Sequence, residues 1–271
     1  SLHQSHKKGF TLSFLLSDSR PGFVSPGASD FVYKPIINGV ELTTKPILLI
    51  FFSVFLISAF FIFSSRRALV VPTKLQFAGE SIYSFVRNDI GKDVIGHDFQ
   101  KFVPFLFAIF TFVLTNNLFG IIPLIQFPTM SHIGFPVALT LFVYFVFHTV
   151  AIKKHGLLKY LKDMMFMPGI PKVMYIILAP LEFATYFLIR PLTLAMRLFG
   201  NMFAGHLLLI LFTLGGEYML HNVLLLKFMS VFSFGFAIGF TFFEFFVQCL
   251  QAYIFTLLSA LYIAGALADE H

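Results

Sequence analysis

The sequence predicts an all-α integral membrane protein with about five membrane helices, a surface amphipathic helix and a long, steeply tilted C-terminal helix hairpin. Of the 271 residues, 58% are hydrophobic and only 12% are charged, whereas about a quarter of the residues in a soluble domain are charged. The mean hydropathy is +0.86, and several apolar stretches are long enough to cross about 30 Å of hydrocarbon. These observations exclude a soluble enzyme of this size.

Cysteine content and charge exclude two further classes of protein. The single cysteine, Cys249, lies in an apolar run, which excludes a disulfide-stapled secreted protein. The formal net charge is +6, but the basic residues form short clusters between apolar stretches. Such clusters are typical of the loops of membrane proteins and not of a nucleic-acid groove.

The N-terminal half begins with a polar segment, residues 1–45, and the membrane domain is predicted over 46–271. The first span, 47–63, ends at a basic stop around Arg66. Residues 72–100 mix charged residues with apolar residues at helical spacing, which indicates an amphipathic helix on the membrane surface.

The remaining spans are predicted over residues 102–125 and 133–152, followed by apolar stretches at about 173–214 and 223–267. A helix of 40 residues is about 60 Å long, which is twice the thickness of the hydrocarbon layer. Because no polar turn divides either stretch, we expect a hairpin of two long tilted helices rather than four upright spans.

Orientation follows from the basic residues near the span ends. The connections 64–101 and 153–172 carry six and five Lys or Arg residues, and the turns at 126–132 and 215–222 carry none. We therefore expect the basic loops and the C-terminus on the inner side and the N-terminus on the outer side.

Five ionisable residues lie deep within the two C-terminal stretches: Glu182, Arg190, Arg197, His206 and Glu244. A charged side chain at the bilayer centre costs at least about 2.5–3.5 kcal/mol. Such residues therefore indicate either a function or a structural ion pair.

Arg197 is the strongest of these candidates because a guanidinium cannot lose its proton to escape burial. It has no acidic residue three or four positions away, so any carboxylate partner comes from another helix or another protein. One alternative is a structural salt bridge with Glu182 or Glu244. A second is snorkelling to the interface, which suits Arg190 better than Arg197, seven residues further in.

The last stretch carries a polar stripe formed by Glu244, Gln248 and Gln251. Their spacing of i, i+4 and i+7 places them on one helix face. In lipid, such a face turns towards a bundle interior or a water-filled cavity. On the preceding helix, Asn201 shares the face of Arg197, and His206 lies on roughly the opposite face. This arrangement suits two aqueous routes separated by a cation.

Small and helix-breaking residues predict packing features. The pairs Gly200–Ala204 and Gly235–Gly239 favour close helix approach. Pro180 and Pro191 are expected to set a helix start and a kink. The pair Asn116–Asn117 fits either interhelical hydrogen bonding or a water route.

The run from Pro191 to His206, PLTLAMRLFGNMFAGH, together with LQAYIF at 250–255, resembles subunit a of F-type ATP synthases. The segment NLFGIIP at 117–123 also fits, and the resemblance covers most of the chain. Several short segments are most similar to mitochondrial and alphaproteobacterial members.

The resemblance implies roles for individual residues. Arg197 matches the stator arginine that faces the carboxylates of the rotor ring. Gly120 stands where some relatives have an acid, so the role of that acid is absent here. The resemblance implies that the outer proton half-channel is lined by Asn201, His206, Glu244, Gln248 and Gln251. It implies that the inner half-channel is lined by Thr193 and Glu182.

The resemblance also implies a function and partners. The chain would be a proton-translocating stator subunit that couples proton flow to rotation and ATP synthesis, without cofactor or metal and without catalysis of its own. Its partners would be the ring of c subunits, the peripheral stalk and lipid, without nucleic acid. The implied location is the mitochondrial inner membrane, with the bacterial plasma membrane as the alternative.

Two other classes of function remain open at this point. A polytopic secondary ion transporter would show inverted repeats and broken helices around a midplane site. A purely structural membrane subunit would need neither a buried Arg197 nor the stripe that begins at Glu244. Co-purification with a ring of small two-helix proteolipids would distinguish the ATP synthase subunit from both of these alternatives.

Overall fold

The computed structural model describes residues 25–27, 44–66, 69–122, 125, 129–166, 171–221 and 224–268. Most of the polar segment predicted over 1–45 lies outside these ranges. Within them, every regular element is a helix. The α-helices are α1 (Lys45–Ser65), α2 (Lys74–Ser84), α3 (Val103–Leu118), α4 (Gly134–His155), α5 (Leu157–Met165), α6 (Tyr175–Ala184), α7 (Arg190–Leu220) and α8 (Leu224–Leu267).

Four helical stretches of the described residues are long and apolar enough to cross a membrane. They are α1, α4, the 46-residue stretch Tyr175–Leu220, and Leu226–Leu267 within α8. Helix α3 is a shorter apolar helix of 16 residues. The predicted all-α membrane architecture with long C-terminal helices is therefore confirmed.

Helix α3 ends at Leu118, earlier than the expected end of that span at residue 125. The chain turns at Phe119 and Gly120, where the Gly120 amide donates to the Asn117 carbonyl (3.1 Å). Glycine is a poor helix former, and the following Pro123 disfavours helical backbone at the residue before it. The apolar run is thus longer than the helix.

The hairpin turn lies later than the pair Gly215–Gly216 suggests. Helix α7 continues through both glycines to Leu220 because α8 supports it there. A Cβ at Gly216 would lie 3.3 Å from the Phe234 ring, and the Ser230 hydroxyl donates to the Gly216 carbonyl (2.6 Å). Gly216 thus permits close helix packing, and neither glycine forms the turn.

Both prolines of the first hairpin helix lie in helical backbone. Pro180 is inside α6 and not at a helix start, which corrects the expectation. Between α6 and α7 the chain forms a π-helix, Thr185–Ile189, and the Arg190 amide donates to the Thr185 carbonyl. Since Pro191 has no amide hydrogen to donate four residues back, the wider turn accommodates it without a break.

The predicted amphipathic segment 72–100 is helical in two parts. Thr73 caps α2, accepting from the Gln76 amide (3.3 Å), and α2 continues as a π-helix over Phe85–Ile95. Val86 and Ile90 of this π-helix are fully buried in the core formed with α3, α4, α7 and α8. The apolar face of this segment therefore packs into the core of the helix bundle.

Candidate functional site

The polar stripe of α8 is buried between α8 and its neighbours. Glu244, Gln248 and Gln251 are 5%, 3% and 2% exposed. Gln248 Nε2 donates to Glu244 Oε1 (2.9 Å), and Asn201 Nδ2 of α7 donates to Gln251 Oε1 (3.0 Å). The structure thus brings together four of the residues predicted for the outer half-channel.

Asn117 adds α3 to this group. Its Nδ2 donates to the backbone carbonyl of Gln248 (3.3 Å). Its neighbour Asn116 instead bonds Ser53 Oγ of α1 (3.1 Å) and accepts from Thr129 Oγ1 (2.8 Å). Both residues therefore make hydrogen bonds to other helices, Asn116 to α1 and Asn117 to α8, and the water route stays a prediction.

Three polar atoms of this group are buried without a hydrogen-bond partner among the described residues: Asn117 Oδ1, Gln248 Oε1 and Gln251 Nε2. Buried polar groups are normally bonded, and ordered water supplies the partner where the protein does not. The group therefore retains hydrogen-bonding capacity for water. We call these five residues, Asn117, Asn201, Glu244, Gln248 and Gln251, the polar track.

Gly205 of α7 makes room for the Glu244 carboxyl group. A Cβ at Gly205 would overlap all three atoms of that group, so glycine is needed for this approach. The adjacent His206 is half-buried, and its imidazole is hydrogen-bonded to the Gly120 backbone. Glu244 and His206 thus lie at neighbouring positions of the α7–α8 contact, each with a different hydrogen-bond partner.

Sequence reasoning did not identify the contact of Gly205 with Glu244. It assigned close helix approach to Gly200, Gly235 and Gly239, but no atom of the described residues lies within 4 Å of a Cβ built at these positions. Gly235 and Gly239 are exposed on the surface of α8, and Gly200 is half-buried. The usable signal was the position of Gly205 directly before His206, a residue predicted for the outer half-channel.

Arg197 lies on the exposed surface of α7, amid exposed apolar side chains such as Leu192 and Met196. Among the described residues it makes no ion pair within 4.0 Å, since the salt bridge found there joins Lys101 to Asp98. The alternative of a structural salt bridge with Glu182 or Glu244 is therefore not what this structure shows. The guanidinium is available to a group outside this part of the chain.

The two residues assigned to the inner half-channel lie apart from the polar track. Thr193 is exposed on the Arg197 side of α7, and its hydroxyl donates to the Ile189 carbonyl (2.7 Å). Glu182 is half-buried in α6. In the described part of the chain, no group of three or more His, Cys, Asp or Glu residues is placed to hold a metal ion.

Comparison with known proteins finds one family along nearly the whole chain. The family model described as ATP synthase A chain matches residues 47–264. The ATP synthase subunit a of Nocardioides sp. is 43% identical over 274 residues, covering 97% of this chain and 99% of the relative. That of Pseudarthrobacter chlorophenolicus is 44% identical over 254 residues, covering 92% and 95%, and that of Streptomyces lividans is 39% identical over 259 residues, covering 92% and 90%. The chain therefore belongs to the ATP synthase A chain family.

Proposed function

We propose that this chain is the stator subunit that conducts protons through the membrane sector of a rotary ATP synthase. Family membership makes it a proton-translocating subunit of the F-type ATP synthase membrane sector and not a catalytic enzyme on its own. The finer proposal is that Arg197 faces the rotor ring and that the polar track belongs to the outer half-channel. The observation that carries it is the contrast between an exposed Arg197 without an ion pair among the described residues and a buried acid–amide track on the neighbouring helix contact.

Arg197 acts electrostatically in this proposal. A rotor carboxylate that crosses lipid must be protonated, because an ionised one is too costly there. Opposite the guanidinium, the ionised form is favoured, and the proton leaves towards the inner side past Thr193 and Glu182. The emptied carboxylate is reloaded from the outer side, and the fixed cation prevents direct leakage between the two routes.

The polar track supplies the outer route. Its amides and the Glu244 carboxyl group are held by α3, α7 and α8, and their remaining donors and acceptors can order water across the hairpin. His206 lies next to the polar track, because its sequence neighbour Gly205 contacts the Glu244 carboxyl group. Each proton that moves through 100 mV supplies about 2.3 kcal/mol, so rotation must combine several protons for each ATP.

Location and partners are part of the same proposal. The relatives reported above are bacterial, so they do not support the mitochondrial inner membrane, and we assign the chain to a bacterial plasma membrane. The basic loops support the orientation that we propose, with the C-terminus on the cytoplasmic side and the N-terminus outside. The partners are the c ring, the peripheral stalk and the rest of the complex.

A proton-flux assay of the reconstituted complex tests this function. Arg197→Ala is expected to abolish ATP-driven proton pumping, with the c ring still co-purifying. The matched control is Lys227→Ala, which removes an exposed cation from the other helix of the hairpin and should leave pumping unchanged. Normal pumping by the Arg197 variant would refute the proposal.

A further inference from the structure

A second polar site lies away from the polar track. A cavity of about 180 Å³ opens between α4, α5, the Thr185–Ile189 π-helix region and the C-terminal end of α8. None of the residues assigned above to the proton path lines it. Its polar and aromatic walls are formed by His155, Tyr160, Asp163, Tyr186, Arg190 and Tyr262.

Arg190 is the cationic group of this cavity. Its guanidinium lies over the Tyr186 ring, 3.9 Å from the ring centre, and it has no ion-pair partner within 4.0 Å among the described residues. Stacking occupies the face of a guanidinium and leaves its N–H edge available, which is the geometry that binds phosphate through paired hydrogen bonds.

Asp163 supplies an opposite charge in the same cavity. It is half-buried and, like Arg190, lies without an ion pair within 4.0 Å in the described part of the chain. A carboxylate in the cavity wall opposes binding of a ligand that carries only negative charge. One cation and one anion that do not neutralise each other instead fit a ligand that carries both charges.

The aromatic walls suit an ammonium group, which is attracted to the faces of aromatic rings. Tyr160 is fixed there by a 2.7 Å hydrogen bond between its hydroxyl and His148 Nδ1. Burial, with Tyr186 as a second cause, raises the pKa of Tyr160 to about 12, so the phenol stays neutral and adds no negative charge.

The surroundings place this cavity at the edge of the membrane. Helix α5 follows the end of the α4 span directly and exposes Leu157 and Leu158 together with Lys159, a pattern typical of interfacial helices. Leu261, in the cavity wall, is also exposed. Acyl chains therefore have apolar surface to contact beside a polar cavity.

We propose that this cavity binds the phosphoethanolamine headgroup of a zwitterionic phospholipid, with its phosphate at Arg190 and its ammonium group at Asp163. The site differs from the proton path in every residue. Loss of lipid binding and loss of proton transport are therefore separable, and failure of this proposal would leave the proposed function intact.

The test measures lipid retained by the intact ATP synthase complex. The complex is equilibrated with vesicles of equal parts phosphatidylethanolamine and phosphatidylglycerol and repurified in detergent, and its bound lipid is quantified by mass spectrometry. Wild type is expected to retain phosphatidylethanolamine preferentially. Arg190→Gln should lower that retention about tenfold, as expected for loss of a charge-assisted hydrogen bond, and Asp163→Asn should shift the preference towards phosphatidylglycerol.

A steric variant tests the same cavity with both charges intact. Gly265 lines the cavity, and no atom lies within 4 Å of a Cβ built there. Gly265→Leu should therefore keep α8 helical, fill the cavity and lower retention as Arg190→Gln does. The matched control, Lys159→Gln, removes an exposed charge from α5 outside the cavity and should change nothing.

Three outcomes would overturn the proposal. Equal retention of the two lipids by wild type would indicate unselective lipid around the protein. Unchanged retention in both Arg190→Gln and Gly265→Leu would place the bound lipid elsewhere. Binding of soluble phosphoethanolamine that depends on Arg190, in a complex that retains no phosphatidylethanolamine, would assign the cavity to a water-soluble ligand.

Discussion

Two faces of α7 differ in how their polar groups are satisfied. The face towards α8 finds partners within the chain: Asn201 donates to Gln251, and Gly205 leaves room for the carboxyl group of Glu244. The outer face exposes Arg197 without an ion pair in the described part of the chain. In the proposed function, the face towards α8 therefore contributes to stability as well as to transport, whereas Arg197 acts through another subunit.

The largest effect is expected from a change at Arg197, which should affect transport but not stability. Arg197→Lys keeps a positive charge, but a lysine can lose its proton when desolvated and lacks the rigid fork of a guanidinium. We expect coupled ATP synthesis to be lost while the thermal stability of the solubilised complex is unchanged. ATP-driven pumping and a melting curve on the same preparation check both parts.

Two results at Arg197 would contradict the comparison between the faces. Normal pumping by the lysine variant would show that any cation suffices. A large fall in melting temperature would show that Arg197 stabilises the fold through contacts within the chain.

The next largest effect concerns Glu244 and His206. If both border one wet cavity, they can pass a proton between them, and removing either should slow proton uptake from the outer side without uncoupling. Exchanging them, His206→Glu with Glu244→His, keeps the same groups in the same place. We expect the exchange to pump faster than either single variant, which a double-mutant cycle on pumping rates measures.

Additive losses without rescue in the exchanged pair would mean that the two residues act independently. The structure makes this a sharp test, because Glu244 is bonded to Gln248 (2.9 Å) and His206 to the Gly120 backbone. A relay between them needs water or a side-chain rotation.

A smaller effect is expected from Gly205→Ala. The new methyl group would overlap the Glu244 carboxyl group and make this buried side chain move, at a cost of about 1–3 kcal/mol for overpacking. The control is Gly215→Ala on the same helix, where no atom lies within 4 Å of the added Cβ and helix propensity improves. Thermal unfolding of the complex should show a loss for the first variant and none for the second.

The sequence predicted the features that depend on composition and periodicity. Long apolar stretches indicated the hairpin, and the spacing of Glu244, Gln248 and Gln251 placed them on one face, where the structure buries all three. The contact of Gly205 with Glu244 depends on the rotation of one helix against another, which no single-helix period specifies. The π-helix before Pro191 likewise reflects a balance of local hydrogen bonds.

The turn of the hairpin shows the same limit. Two adjacent glycines predict a break, but Gly216 is held in helix by the Phe234 ring and the Ser230 hydroxyl of α8. Tertiary packing overrides the local preference there. Exposed and buried glycines have the same sequence signal, so only the structure distinguishes Gly200 from Gly205.

The smallest effect separates two adjacent residues, Asn116 and Asn117. Asn116 links α3 to Ser53 and Thr129, so Asn116→Ala leaves buried partners unbonded and should cost about 1–3 kcal/mol of stability with little change in pumping per assembled complex. Asn117→Ala removes one bond to the Gln248 carbonyl and an unpartnered oxygen from the polar track. It should slow pumping with little change in melting temperature, and the reverse pattern would place the water route at Asn116, on the α1 side of α3.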